Sequence, residues 1–335
     1  MKLFKLIGIV FGSVLAGLVI FYRNKNVNKN KIKKIHEDKT KTNENLFDIG
    51  THKLYAKVKG EGKITVIIET GLGSPSSEWW KIQDKISEFT KVVTYDRGGY
   101  SMSEPGPIPR DGEQISNELY KLLKKMNITP PYIIIGHSLG ALFAQYFTRL
   151  YSKDVVGIVL IDPLIDNRKW IGKIDEILYN KFIDKTSILK SLAKLWETAG
   201  VDKLVKFLPS NIPSKIKNHV LENFSRPESL KTILDEYKSS FTITFPKMSK
   251  IPFPSNIPLR IIYHSPQKNI NELVKQGATK QQAKRIESIG EQLTKEYIKL
   301  SNDSKWIIAD KSSQNVHLDQ EEIIIETVKN LYYKL

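Results

Sequence analysis

Tyr132-Ile133-Ile134-Ile135-Gly136-His137-Ser138-Leu139-Gly140, continued by the run to Tyr151, is the stretch whose reading decides the fold. Its apolar start, its Gly-x-Ser-x-Gly centre and the apolar positions Leu142, Tyr146 and Leu150, with Phe143 and Phe147 beside them, read as strand, tight turn and helix. A strand that reverses into a helix within about three residues forces its middle residue into a strained backbone, tolerable only where the flanks lack side-chain bulk. Gly136 and Gly140 supply that room. Ser138 is then left exposed at the carboxyl edge of a sheet, with a helix N-terminus behind it that favours negative charge. A Gly-x-Ser-x-Gly string alone is a weak signal, because glycine and serine are common in turns; strand before and helix after make it a nucleophile elbow.

Upstream, alternating Leu54, Ala56 and Val58 within 47–59, the turn Lys59-Gly60-Glu61-Gly62 and the apolar run at Ile64–Ile68 predict strands, the last one buried. Glu69-Thr70-Gly71-Leu72-Gly73-Ser74 is a Gly-rich loop leading to a helix with Trp79, Ile82, Ile86 and Phe89 on one side; it lacks the Lys-Ser/Thr ending of a phosphate-binding loop. Val92–Tyr95 is another strand, ending in Asp96-Arg97-Gly98-Gly99-Tyr100-Ser101-Met102-Ser103. Asp96 and Arg97 are expected to satisfy the backbone of a buried turn. A helix carrying Ile115, Leu119, Leu122, Leu123 and Met126 leads to the elbow strand, and Val155–Ile161 is the next strand, closed by Asp162-Pro163. This alternation specifies a doubly wound, mostly parallel α/β sheet. The pattern stops over 167–254, which is amphipathic and helical, and resumes at Leu259–Tyr263 and Trp306–Ala309, with a charged helix at Thr279–Leu300 between them and a last helix carrying Ile324, Val328 and Leu331.

From Phe47 onward the elbow, the Gly-rich loop and the Asp-Arg turn resemble the α/β-hydrolase family. The resemblance implies a core over 47–166 and 255–335, with a helical cap at 167–254 inserted between two core strands to exclude water and shape an apolar pocket. It implies a serine hydrolase that cleaves a carboxylic ester or amide of a small apolar acyl substrate through an acyl-enzyme, without cofactor or metal. Ser138 would attack, and the amides of Leu72 and Leu139 would hold the oxyanion. Thr70 stands where the family usually carries His.

Two further departures concern the other catalytic groups. The carboxylate usual after Leu259–Tyr263 is absent from His264-Ser265-Pro266-Gln267-Lys268-Asn269, which moves the expected acid to Asp162, with Asp166 a second choice. The alternative role of Asp162 is to satisfy turn amides beside Pro163. The usual general base falls at Gln314, and an amide accepts no proton at neutral pH. His317, in the same loop, is the expected substitute; its alternative is a solvent-facing loop histidine. The rival reading is therefore a catalytically impaired hydrolase fold kept as a ligand-binding or scaffolding module.

The absence of cysteine excludes disulfides, thiol nucleophiles and thiolate metal sites. Of the formal net charge of +16, residues 1–46 carry +7, which leaves a diffuse +9 over the remaining 289 residues. Without an aromatic-basic motif this does not describe a nucleic-acid partner. Leu6–Tyr22 is an uncharged apolar run at the lower limit for spanning a bilayer, flanked by Lys2 and Lys5 and by a larger basic cluster from Arg23 to Lys34. It reads as a membrane anchor over 1–22, with a basic, Asn- and Lys-rich tether over 23–46. The charge bias would place the following domain in the cytoplasm. A cleaved signal peptide is the alternative, with small residues at Val14-Leu15-Ala16, but the apolar run continues past that point.

Overall fold

Eight strands join into one sheet: β1 (Leu46–Asp48), β2 (Lys53–Lys59), β3 (Thr65–Glu69), β4 (Lys91–Tyr95), β5 (Tyr132–His137), β6 (Val155–Ile161), β7 (Leu259–His264) and β8 (Ser304–Ala309). This computed structural model describes residues 43–184 and 227–335. The spatial order is β1-β2-β4-β3-β5-β6-β7-β8. The β1–β2 and β2–β4 pairs are antiparallel, and every pairing from β4 through β8 is parallel. The principal helices are α1 (Trp80–Ile86), α2 (Gly112–Lys125), α3 (Leu139–Leu150), α4 (Pro227–Ser239), α5 (Pro266–Lys275), α6 (Lys280–Lys295) and α7 (Glu321–Tyr332).

The near-continuous apolar strands have a direct cause. Alternate side chains leave opposite faces of a sheet, and helices cover both faces here. Ile67, Ile134, Leu160 and Ile261 pack on one side with Leu119 and Leu122 of α2 and Phe147 of α3. Ile68, Ile135, Val159 and Ile262 pack on the other with Ile82 and Ile86 of α1 and Val328 of α7. Each face is a dry core, and the central strands must be apolar on both sides.

Register then brings the chemistry to one edge. Glu69 pairs with Gly136, His137 with Ile161, Ile161 with Ile262, and His264 with Ala309. Ser138, Asp162 and His264 consequently stand at the carboxyl ends of three adjacent strands.

Some boundaries differ from the sequence pattern. Helical structure begins at Asn43 and β1 at Leu46, inside the stretch expected to be tether, because Leu46 and Phe47 find antiparallel partners in Tyr55 and Leu54. Helix α5 follows β7 where the sequence suggested only a departure from pattern, with Ser265 as N-cap and Pro266 in its first turn. The apolar run Leu6–Tyr22 and residues 185–226 of the expected cap lie outside the described residues; among those described, no helix is long and apolar enough to cross a membrane.

Candidate active site

At the elbow, Ser138 adopts φ 52°, ψ −115°, a conformation that costs a non-glycine residue about 1–3 kcal/mol. The surroundings hold it there. Its N–H donates to Ile161 O at 2.9 Å, and its carbonyl accepts from the N–H groups of Ala141 and Leu164 at 3.1 and 3.0 Å. The flanking glycines are required by close approach rather than by their own dihedrals. A Cβ on Gly136 would lie 2.6 Å from Ala141 Cα, and one on Gly140 would lie 2.3 Å from the carbonyl oxygens of both Glu69 and Thr70. Asp162, one strand over, also has a positive φ, 41°.

The Gly-rich loop that presents Leu72 is held by a buried guanidinium. Arg97 donates through Nη1 to Glu69 Oε1 and to the carbonyl of Thr70, both at 2.7 Å, and through Nη2 to the carbonyl of Gly71 at 3.0 Å. Its Nε and Nη2 donate to the two oxygens of Glu236, both at 3.0 Å. The Tyr100 hydroxyl donates to Glu236 at 2.6 Å and accepts from the Gly73 N–H at 3.0 Å. Asp96 accepts from Ser76 N–H at 2.7 Å. Asp96 and Arg97 thus do the backbone work expected of them. Arg97 also ties the loop to α4, within the stretch expected to be a cap, a link across 139 residues that no local pattern announces.

These elements enclose a cavity of about 230 Å³. Ser138, Leu72, Leu139, Asp162 and Gln314 all line it, so the expected nucleophile, oxyanion residues and acid share one cavity with the residue at the usual base position. The Leu139 N–H is a first-turn donor that helix α3 itself cannot use. Trp170, Phe182, Leu273 and Ile286 supply apolar lining.

His317 departs from expectation. It is 1% exposed, neither lining this cavity nor facing solvent. Its ring stacks on Trp79 with centroids 4.7 Å apart and planes 4° from parallel, and its Nε2 lies 3.4 Å from Glu78 Oε2. Glu78 is buried too, taking the Ser74 hydroxyl at 2.5 Å. The His137 ring lies beside that of His317, with centroids 4.7 Å apart, and its Nε2 donates to the Gln314 carbonyl at 3.1 Å. Burial, with the neighbouring His317 adding to it, pushes the His137 ring down to about 3, so it stays neutral.

Asp162 does not meet His317; it meets His264. His264 Nδ1 lies 2.8 Å from Asp162 Oδ1, and its Nε2 lies 3.2 Å from Glu287 Oε2. Both ring nitrogens face carboxylates, which accept only, so the ring is an imidazolium. Burial opposes that charge, but Asp162 and Glu287 outweigh it and hold the imidazole up at about 10. Burial likewise raises the Asp162 carboxyl, with His264 pulling it back. A ring that keeps its proton and has both nitrogens engaged is no general base. Asp166, the second choice for the acid, caps the short turn Asn167–Trp170 and pairs with Arg168.

Glu287 went unanticipated, although the signal existed. It lies on the buried stripe Ala283, Ile286, Glu287, Gly290, Leu293 of α6. A carboxylate at helical spacing among core positions calls for a buried partner.

The chain belongs to the α/β-hydrolase fold family, whose model matches residues 64–256. The uncharacterized protein YqjL of Bacillus subtilis is 24% identical over 267 residues, which cover 79% of this chain and 82% of that one. A (lyso)-N-acylphosphatidylethanolamine lipase of Mus musculus is 28% identical over 101 residues, 29% of this chain and 30% of the relative. Among solved structures, the epoxide hydrolase CorEH superposes with a TM-score of 0.64 at 14% identity, covering 86% of this chain and 98% of that one, a likeness of fold.

Proposed function

We propose that this chain is a serine hydrolase in its machinery, taking a carboxylic ester or amide of an apolar acyl group into the cavity, and that its turnover is slow because the base position is filled by Gln314. The observation that carries this reading is the strained Ser138 sharing one cavity with Leu72, Leu139 and Gln314. Ser138 Oγ bonds to the acyl carbon, the bond to the leaving alcohol or amine breaks, and the serine proton passes to that leaving group. Water then hydrolyses the acyl-enzyme. The Leu72 and Leu139 amides stabilise the oxyanion, which with binding alone retains about 10³–10⁴-fold catalysis over water in a triad enzyme stripped of its base. The partial likeness to a lipase agrees with an acyl substrate.

The test is labelling of the purified protein by a fluorophosphonate, with hydrolysis of a short-chain p-nitrophenyl ester. Slow labelling that disappears in Ser138→Ala is expected. A folded protein that binds acyl compounds and never labels would instead be a ligand-binding or scaffolding module.

A second reading keeps His317 as the base, and its unpartnered Nδ1 favours it. It requires His317 to leave the Trp79 stack and Glu78. A wild type with full hydrolase rates, lost in His317→Ala, would select it.

The reading also includes membrane attachment through Leu6–Tyr22, supported by the length and basic flanks of that run. The full-length protein should sediment with membranes and resist salt extraction. Mature protein beginning at Gly17 would identify a cleaved signal peptide.

A further inference from the structure

One end of the cavity carries a buried charge cluster that chemistry at Ser138 does not use. Among the described residues, the cavity is lined by no lysine and no arginine; its acidic side chains are Asp162 and Glu287, with the His264 ring between them. Two carboxylates around one imidazolium leave a net charge of −1. Glu287 is fully engaged, accepting from His264, from the Tyr263 hydroxyl at 3.0 Å and from the Asn269 amide at 2.5 Å. Asp162 Oδ1 is engaged twice, by the His264 ring and by the His264 N–H at 3.0 Å. Asp162 Oδ2 has no partner among the described residues, although its side chain is only 8% exposed.

A carboxylate oxygen taken out of water without a donor is among the most costly groups a fold can bury, unless a ligand brings the donor. The His264 ring cannot turn toward this oxygen without abandoning Oδ1 or Glu287. A metal ion does not suit the cluster, because both imidazole nitrogens are spent on carboxylates, and no grouping of metal ligands occurs among the described residues. An organic cation does suit it. An ammonium offers three N–H donors, and the walls beside the cluster are aromatic and aliphatic: Trp170, Tyr179, Phe182 and Leu273.

We infer that the preferred ligand of this site bears a protonated amine, with its ammonium on Asp162 and its apolar part against Trp170, Tyr179, Phe182 and Leu273. The inference rests on the cavity being the acyl site of the proposed function, and it names the substrate class: amine-bearing acyl compounds rather than neutral or acidic ones. The protein as a whole is strongly cationic, +16, so a preference for a cation must come from local geometry and not from the general field.

The test reads binding apart from turnover. Full-length Ser138→Ala protein is titrated calorimetrically at pH 7 with hexylammonium, 1-hexanol and hexanoate. Hydrogen bonds to a buried charge predict hexylammonium binding about tenfold to a hundredfold tighter than hexanol, with hexanoate weakest. Asp162→Asn, which keeps the shape and removes the charge, should abolish that preference while leaving hexanol affinity within about threefold. Should Asp162→Asn fail to fold, Leu273→Trp, which fills the part of the cavity assigned to the ligand's apolar chain, decides: hexylammonium binding must be lost. Equal binding of hexylammonium and hexanol, as an ordered water on Oδ2 would produce, overturns the inference. So does a preference that survives Asp162→Asn or Leu273→Trp. An unreactive Ser138 would defeat the proposed function and leave this preference intact; a reactive Ser138 without the preference defeats the inference alone.

Discussion

Replacing Gln314 by His should convert a slow acyl site into a fast one. Gln314 lines the cavity with Ser138, and its backbone carbonyl is held by His137 Nε2 at 3.1 Å, so a change of side chain leaves the loop anchored. The same cavity offers the incoming ring an unengaged carboxylate oxygen, Asp162 Oδ2, because His264 uses only Oδ1. Under the proposed function, nucleophile, oxyanion amides and acid are then present, and the missing element is proton transfer. A positioned general base contributes about 10²–10⁴-fold, equivalent to about 2.7–5.5 kcal/mol of transition-state stabilisation. The assay is p-nitrophenyl butyrate hydrolysis by wild type, Gln314→His and Gln314→His/Ser138→Ala. The gain in kcat should follow deprotonation of an imidazole near its ordinary pKa of about 6.5 and vanish in the double variant. A folded Gln314→His protein no faster than wild type would refute the reasoning, as would a gain that survives loss of Ser138.

The remaining predictions test the supports of the site. Ser138→Ala should remove fluorophosphonate labelling while shifting stability by no more than about 0.5 kcal/mol, since the hydroxyl supports no core packing; a urea titration checks it. Arg97→Met strips the cation from Glu69 and Glu236, both buried, and should destabilise by about 3–5 kcal/mol on the same titration. Gly140→Ala drives a Cβ to 2.3 Å from the carbonyl oxygens of Glu69 and Thr70, and such overpacking should cost about 1–3 kcal/mol along with residual activity. His264 titrates at about 10 when folded, above the ordinary value of about 6.5 expected when unfolded. The folded state therefore holds its proton more tightly. Stability from that pairing is fully present below about pH 6.5 and is lost as pH rises through about 10, and His264→Gln should flatten the alkaline decline in melting temperature.

The sequence alone determined the α/β alternation, the elbow at Ser138 and the loop carrying Leu72. Each is written in local pattern: apolar runs of strand length, helical spacing, and glycines where two backbones must touch. It also showed that Gln314 stands where a base is usual. Partnership was not legible. Asp162, His264 and Glu287 come from three segments and meet only because parallel pairing aligns the ends of β6 and β7 under α6. His317 is close to Gln314 in sequence, yet it stacks on Trp79 beside Glu78 and does not line the cavity, a placement that sequence spacing does not announce. Arg97 reads as a turn residue until α4 brings Glu236 to it. Ion pairs and stacking are set by distances in space, which depend on strand order and helix packing, and only the tertiary structure decides those.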